Sequence, residues 1–322
     1  MALSDMKVFN EYLKLATIET LAQDVAKFNA ASAGAIQLTT QSIDGDFLQE
    51  SFWAGIHGAQ RRVDRYAANS AQSATTLSQK QYDTVKIAGG FGPILWEPGQ
   101  LSWVQKSPEE ALEVISRNLS EAIMADQLNT AIAALVAAIS NQAGATNDVS
   151  ATAGITYSAI NSAHAKFGDA SARIVAQVMT GAMYHKLIGQ NLANAEKLFT
   201  FSGVTIVDIL GKAAIITDAP SLFAAGTPDK QKVLSLVSGA AVVSDGSDLI
   251  TNIQTNNGSQ RITTTMQADY TFGLGLKGYT WDTANGGKSP TDAELATGSN
   301  WDLVANSIKA SAGVITIGDA AK

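Results

Sequence analysis

The chain is 322 residues long, 46% apolar and 16% charged, with a formal net charge of −7 and no cysteine. That length holds one large domain or two ordinary ones around a real core, and the apolar content excludes a wholly disordered chain. The acidic balance argues against a protein that coats nucleic acid by neutralising phosphates, and the missing cysteine excludes disulfides, thiolate chemistry and cysteine-bound metals.

The start, "MALSDMKVFNEYLKL", has no basic region followed by an apolar run, so no signal peptide is expected. No window approaches the roughly 18 consecutive apolar residues of a membrane span. Residues 1–30 read as a helix with a mixed face of Phe9, Leu13, Leu21, Val25 and Phe28, and Ser4 and Asp5 as its cap. After the small-residue break "NAASAGA", Phe52, Ile56, Ala59, Val63 and Tyr66 follow at spacings of 4, 3, 4 and 3, which predicts a second helix. Arg61, Arg62 and Arg65 lie off that stripe. A solvated face or inter-subunit ion pairs suits them better than nucleic acid.

"NSAQSATTLSQK" is a polar linker. Next, "QYDTVKIAGGFGPILWEPGQLSWVQ" reads as an extended hairpin: Tyr82 to Ile87 alternates as a strand, "GGFGP" turns the chain, and a second extended piece runs from Ile94 to Val104. Such a hairpin has no core of its own, so Phe91, Trp96 and Trp103 require something else to pack against. "SPEEALEVISRNLSEAIMADQLNTAIAALVAAIS" then predicts a long helix. Ser107 is its N-cap, Pro108 its first residue and Glu110 the closing member of a capping box. Leu112, Ile115, Leu119 and Ile123 mark one face, and Leu128, Ile132, Leu135 and Ile139 continue it with a slight drift. Its length is on the order of 50 Å.

Downstream the texture is mixed. "TYSAINSAHAKFGD" is a short helix with Ile160, Ala163 and Phe167 inward and Gly168 as its stop. "ARIVAQVMT" is a strand whose Thr180 caps the helix "GAMYHKLIGQ". "VTIVDIL", "AAIIT", "KVLSLV", "DLITNIQT", "QRITTTMQ", "YTFGLGLKGYTW" and "GVITIG" are further strands, with a helical turn in "SPTDAELATGSNWDLV".

No set of residues converges on a reaction. His57, His164 and His185 form no ligand pair and read as packed or surface residues. "GLGLKG" matches G-x-G-x-x-G at Gly273, Gly275 and Gly278, but it lies inside an alternating aromatic strand with no helix after it, so it predicts a bent strand and no nucleotide site. "GGKS" at 286–289 fails as a P-loop because Asp282 stands where its first glycine belongs. No cofactor or metal is expected. Glu109-Glu110 is explained by the helix start.

The order of these parts resembles the major capsid proteins of tailed bacteriophages, the Hong Kong phage type of capsid fold, over nearly the whole chain. The likeness rests on the hairpin and long helix in sequence, on "AKFGDA" leading to "RIVAQVMTGAMYHKLI", on "GKAAIITDAP", and on "GYTWDTANGGKSPTDAELATGSNWDLV". It implies an α+β fold divided as an N-terminal arm with helices (1–79), an extended β-hairpin or E-loop (80–107), a peripheral domain with the spine helix (108–172), a mixed α/β axial domain (173–260), and return strands of the peripheral domain with the C-terminal segment (261–322). It further implies a coat subunit that self-assembles as hexamers and pentamers around double-stranded DNA held without sequence specificity. The implied partners are a scaffolding protein, a portal and a decoration protein, with no membrane, and the implied place is the virion, assembled in the host cytoplasm. Lys86, Phe91, Trp96 and Trp103 are the implied contacts with a neighbouring subunit. Lys86 stands where some members carry a crosslinking lysine, but no partner Asn or Glu is marked. No charged coiled-coil prefix precedes the fold, so either a separate scaffolding protein does that work or this is already the mature form, and Met1 favours the former. The alternatives are an encapsulin-type shell, a phage tail or baseplate structural protein, and a cytosolic α/β enzyme.

Overall fold

The computed structural model describes residues 12–21, 28–29, 32–39, 46–53, 59–69, 71–97, 108–194, 212–246, 248–258, 260 and 262–322, with backbone alone at 51–53, 96, 108–112 and 191–194. Its longest element is helix α1, Pro108–Ser140, in the place the sequence predicts. The cap at Ser107 lies outside the described residues, and the Glu110 and Leu112 side chains lie outside the described side chains. The first half of α1 is amphipathic, with Leu119 and Ile123 buried while Glu113, Arg117 and Glu121 face water. The second half is enclosed on nearly every side: Ala131, Ile132, Ala134, Leu135, Ala138 and Ile139 are all at most 2% exposed. The drift of the apolar stripe in the sequence is this change from one-sided to all-round burial. Glu113–Ser140 is long and apolar enough by length and composition to cross a membrane, and here over half of that apolar window is buried inside the protein.

Two sheets flank the helix and share one core with it. The larger joins β1 (Ile36–Thr39), β2 (Phe47–Trp53), β3 (Gln79–Trp96), β9 (Ala241–Asp245), β10 (Ile250–Asn256), β11 (Thr263–Leu276), β12 (Tyr279–Trp281) and β13 (Trp301–Leu303). The smaller joins β4 (Thr146–Asp148), β5 (Ile174–Met179), β6 (Ala213–Ile216), β7 (Phe223–Ala224), β8 (Lys230–Val237) and β14 (Gly313–Asp319). Each sheet draws strands from distant parts of the chain. β14 at the C-terminus lies antiparallel to β8 and parallel to β4, so the last strand closes the smaller sheet.

Among the described residues three further α-helices follow α1: α2 (Tyr157–Lys166), α3 (Gly181–Asn194) and α4 (Asp292–Leu295). In α2, Thr156 caps the start and Ile160, Ala163 and the following Phe167 are fully buried, as their spacing predicts. Gly168 ends it with φ +55, a conformation that favours glycine. Thr180 Oγ1 accepts from the Met183 N–H at 3.2 Å, the expected cap of α3. Around α4, Trp281 and Trp301 pack edge to face at 4.8 Å, both essentially buried, with their indole N–H groups donating to the Gly287 and Leu295 carbonyls.

Two expectations are corrected. The segment expected to be a helix through Phe52 and Tyr66 is strand β2 at 47–53 and exposed irregular chain at 59–69, with Tyr66 92% exposed. Seven rungs of pairing with β3 outweigh a weak 3.6-residue pattern. Nor does "GGFGP" turn the chain: 79–96 is one continuous strand, and the glycines and Pro93 lie within it opposite β11. The proline is accommodated because the register shifts there, between Met266 and Ala268, in the manner of a β-bulge. Any turn toward Trp103 falls after Trp96, outside the described residues. Strands β1 and β9 have no counterpart among the predicted elements, and the predicted strand "VTIVDIL" and Val25 lie outside the described residues. "GLGLKG" is the end of β11 and its two-residue turn into β12.

Two predictions follow from this packing. Trp301→Ala empties the most enclosed aromatic contact of the C-terminal segment and should cost about 3–5 kcal/mol, read from urea unfolding. His164 is buried with Nε2 3.0 Å from Ser235 Oγ. Burial first, and the Lys212 charge second, hold its pKa below the ordinary 6.5. The unfolded chain therefore binds the proton more readily, so stability is full above about pH 7 and falls as pH drops below about 6.5. Urea midpoints across that window should decline in the parent and decline less in His164→Gln.

Candidate subunit interface

Strand β3 bridges two partners. Its first half, 79–85, pairs with β2, and its second half, 85–96, pairs with β11. On its other edge β11 pairs first with β10, over 263–269, then with β9, over 272–276. Beyond β9 the sheet is thus a three-stranded ribbon of β10, β11 and β3. In its described residues 88–96, 250–256 and 262–271 this ribbon carries one charged side chain, Asp269, which is exposed at its root opposite Ile250 and Gly90.

An aromatic row fixes the root of the ribbon. Phe91 stacks on Tyr270 with centroids 5.6 Å apart, and Tyr270 stacks on Phe272 at 6.2 Å. Gly89 is required beneath that row, since a Cβ there would sit 2.7 Å from Tyr270 Cζ. The Tyr270 hydroxyl donates to Asp126 Oδ2 at 2.5 Å, tying the ribbon to helix α1. Burial, then the Asp126 hydrogen bond and the Asp126 and Asp292 charges, pushes the phenol far above its ordinary pKa of 10.0, so it stays a donor at any working pH. On the other side of the root, Lys86 Nζ reaches Asp248 Oδ2 at 2.8 Å and Thr271 Oγ1 donates to the same oxygen at 2.9 Å. Those two hydrogen bonds, Lys86 first, hold the Asp248 carboxyl below its ordinary range.

The four expected contact residues fall in different settings. Lys86 is ion-paired inside its own chain. Phe91 is half-buried against Tyr270. Trp96 ends β3 opposite Thr264, and Trp103 lies outside the described residues. Sequence reasoning missed the apolar residues that the ribbon exposes: Ile94 at 53%, Leu95 at 62%, Ile250 at 63% and Ile262 at 51%. The signal was present as isolated aliphatic residues in uncharged strands. The N-terminal helix, residues 12–21, shows a similar face, burying Leu13 and Thr17 while Tyr12, Leu15 and Ile18 are exposed.

Chemistry does not gather in the same way. Among the described residues no group of three His, Cys, Asp or Glu could hold a metal ion. A cavity of about 670 Å³ between β2, β3 and β9 is lined by Glu50, Tyr82 and Lys277. Burial above all pushes Tyr82 up to about 12, and Lys277 Nζ donates to the Ser238 carbonyl at 2.8 Å. That set offers neither a nucleophile beside a base nor a poised acid. His185 lies edge-on to Tyr184 on α3, and His57 lies outside the described residues.

The fold is that of phage capsid proteins. The capsid asymmetric unit of cyanophage Pam1 superposes with a TM-score of 0.51 at 10% identity, over 89% of this chain and 88% of that one. The acid-stable capsid of Helicobacter pylori bacteriophage KHP30 gives a TM-score of 0.48 at 8% identity, over 90% and 89%. The structure titled Microbacterium phage Oxtober96 gives 0.46 at 13%, over 90% of each chain. The chain belongs to the Gp13-like family (major capsid protein 13-like), whose family model matches residues 5–315. It is a structural, capsid-forming protein of a tailed phage, and its place is the virion. No curated protein matches the sequence. The comparisons favour neither the encapsulin-type compartment nor the enzyme.

The Tyr270–Asp126 hydrogen bond is the testable joint of this site. Tyr270→Phe keeps the ring stack and removes the phenol, which should cost about 1–3 kcal/mol. Amide hydrogen exchange over 264–272 and 86–94 should quicken, with the second half of α1 unchanged.

Proposed function

We infer that this chain is the repeating coat subunit of an icosahedral phage head, assembling as hexamers and pentamers around double-stranded DNA. The observation that carries the reading is the ribbon of β10, β11 and β3: a sheet extension whose one charge among the described residues is Asp269 at its root, with aliphatic side chains in water and an outermost described strand, β10, that has no charge or proline to discourage pairing. A soluble monomer manages such edges and patches, whereas a subunit that covers them with its neighbours has no need to. Phe91, Trp96, Trp103, Ile94 and Leu95 then belong to the contact with a neighbouring copy. Burying one large apolar side chain contributes about 2–3 kcal/mol, and each contact repeats throughout a closed shell, so modest pair energies suffice. The acidic balance suits a container that holds DNA by confinement. Scaffolding, portal and decoration proteins are the expected partners. The division into an N-terminal arm (1–79), E-loop (80–107), peripheral domain (108–172), axial domain (173–260) and return segment (261–322) is part of the same proposal, as is the lack of any catalytic role.

Negative-stain microscopy of the purified chain, with sedimentation velocity on the same sample, tests this directly. Closed shells, or hexamer and pentamer rings, are expected. Tubes would instead favour a tail protein, and a species that stays monomeric at high concentration with scaffold supplied would overturn the coat reading. Leu95→Asp, placing a charge on the uncharged outer part of the ribbon, should leave the monomer folded and raise the concentration needed for assembly about tenfold or more.

A further inference from the structure

Strands β10 and β11 form a hairpin whose last rung pairs Asn256 with Thr263. The connection, residues 257–262, opens on Asn257-Gly258, one of two Asn-Gly pairs in the chain. The other is Asn285-Gly286, in the turn after Trp281. Asn-Gly pairs are open to one spontaneous reaction, because glycine has no Cβ to hinder its own nitrogen. The glycine nitrogen gives its proton to water and attacks the Asn side-chain carbonyl carbon. The new C–N bond closes a succinimide, and the side-chain nitrogen leaves as ammonia. Water then opens the ring at either carbonyl to give aspartate or isoaspartate, and nothing is oxidised or reduced. The reaction needs a free glycine N–H, an Asn amide that can turn, and room for the ring.

The fold separates the two pairs. At Asn285-Gly286 the Gly286 N–H donates to the Asp282 carbonyl at 2.8 Å, and the Asn285 side-chain amide donates to the Asp282 carboxylate at 2.5 Å. The Asn285 N–H donates to the other oxygen of that carboxylate at 3.2 Å. Gly286 is buried, and a Cβ there would stand 2.1 Å from Trp281 Cζ2, so the indole wedges the turn in place. Asn257 and Gly258 are both exposed, and among the described residues neither makes a hydrogen bond. Gly258 has φ +102, and nothing lies within 4 Å of an imagined Cβ. All three requirements are met at Asn257, and none is met at Asn285. The connection at 257–262 holds one basic residue, Arg261, and no acid, so a new carboxylate takes its formal charge from +1 to 0. Isoaspartate also adds a carbon to the main chain directly beside the last rung of the hairpin.

We propose that Asn257 is a site of spontaneous deamidation, that the Asp282 clamp spares Asn285, and that conversion at Asn257 removes the subunit from assembly. The chemistry stands on the two turns alone, and its consequence for assembly rests on the coat reading. The test ages the full-length parent in mildly alkaline buffer, folded and in urea, and follows both pairs by peptide mass spectrometry with isoaspartate detection. In urea the two pairs should convert at similar rates. In the folded chain Asn257 should convert about tenfold or more faster than Asn285, because the hydrogen bonds to Asp282 must break before attack can occur there. Equal rates in the folded chain, or no conversion at Asn257, overturn the site. Sedimentation velocity then compares fresh parent, aged parent and aged Asn257→Gln, whose longer side chain closes a ring far more slowly. The assembling fraction of the parent should fall in step with the converted fraction, while aged Asn257→Gln assembles like the fresh protein. An aged parent that is converted at Asn257 and still assembles fully overturns the consequence and leaves the site standing. A fresh parent that never self-associates overturns the coat reading and the consequence together, while the mass spectra still decide the site.

Discussion

The structure depends on how helix α1 is buried. Its N-terminal half leans on the fold by one face, but from Ala131 to Ile139 it is walled in by both sheets and by the C-terminal segment. Alanines at 131, 134, 137 and 138 make this possible, because small side chains let strands and turns approach the helix closely on several sides. At Gly298 the C-terminal segment comes within 2.7 Å, measured from an imagined Cβ, of the Ala137 carbonyl. One helix thus serves both sheets, while a second, smaller cluster of Ile155, Ile160, Met179, Met183, Leu187 and Val233 packs α2 and α3 on the smaller sheet.

The ribbon of β10, β11 and β3 is rooted in that helix through a single chain of contacts, from Asp126 to Tyr270 and then to Phe91 and Phe272. Even-numbered side chains of β11 from Thr264 to Phe272 are buried, so one face of the strand is anchored along its length. An anchored face is a rigid way to present isolated aliphatic side chains on the strands beside it. The Lys86–Asp248–Thr271 cluster holds the opposite side of the root. Lys86 is thereby engaged within its own subunit.

Much of this was legible in the sequence wherever a local signal and the tertiary fold agree. Pro108 and the Leu119, Ile123, Ile132, Leu135 and Ile139 stripe located α1, Thr156 and Gly168 bracket α2 as their chemistry demands, and Thr180 caps α3. The failures share a cause. β2 was hidden because a seven-residue strand paired on one edge needs little alternation, and Phe52, Val63 and Tyr66 fell at helical spacing by accident. "GGFGP" carried turn chemistry, but Gly89 is there to admit the Tyr270 ring and Pro93 sits at a register shift, facts set by β11 some 170 residues away. Strand pairing is non-local, and a sequence read in chain order cannot see it. At the site, the aromatic residues Phe91 and Trp96 stand out in the sequence by type, whereas Ile94, Leu95, Ile250 and Ile262 become visible only once the pairing shows which side chains are exposed.

The distribution of charge ties these parts together. Beyond Asp269 the described ribbon carries apolar side chains and no charge, and on the coat reading a charge there would have to be desolvated when a neighbour covers it. Arg61, Arg62 and Arg65 cluster instead in the exposed chain at 59–69. Burial of apolar, uncharged surface depends little on salt, whereas contacts made by exposed charges depend on it strongly. A subunit that must join many copies of itself without joining them wrongly gains from that separation. Contacts that are individually modest remain reversible while a shell is being corrected, and become collectively permanent once it closes.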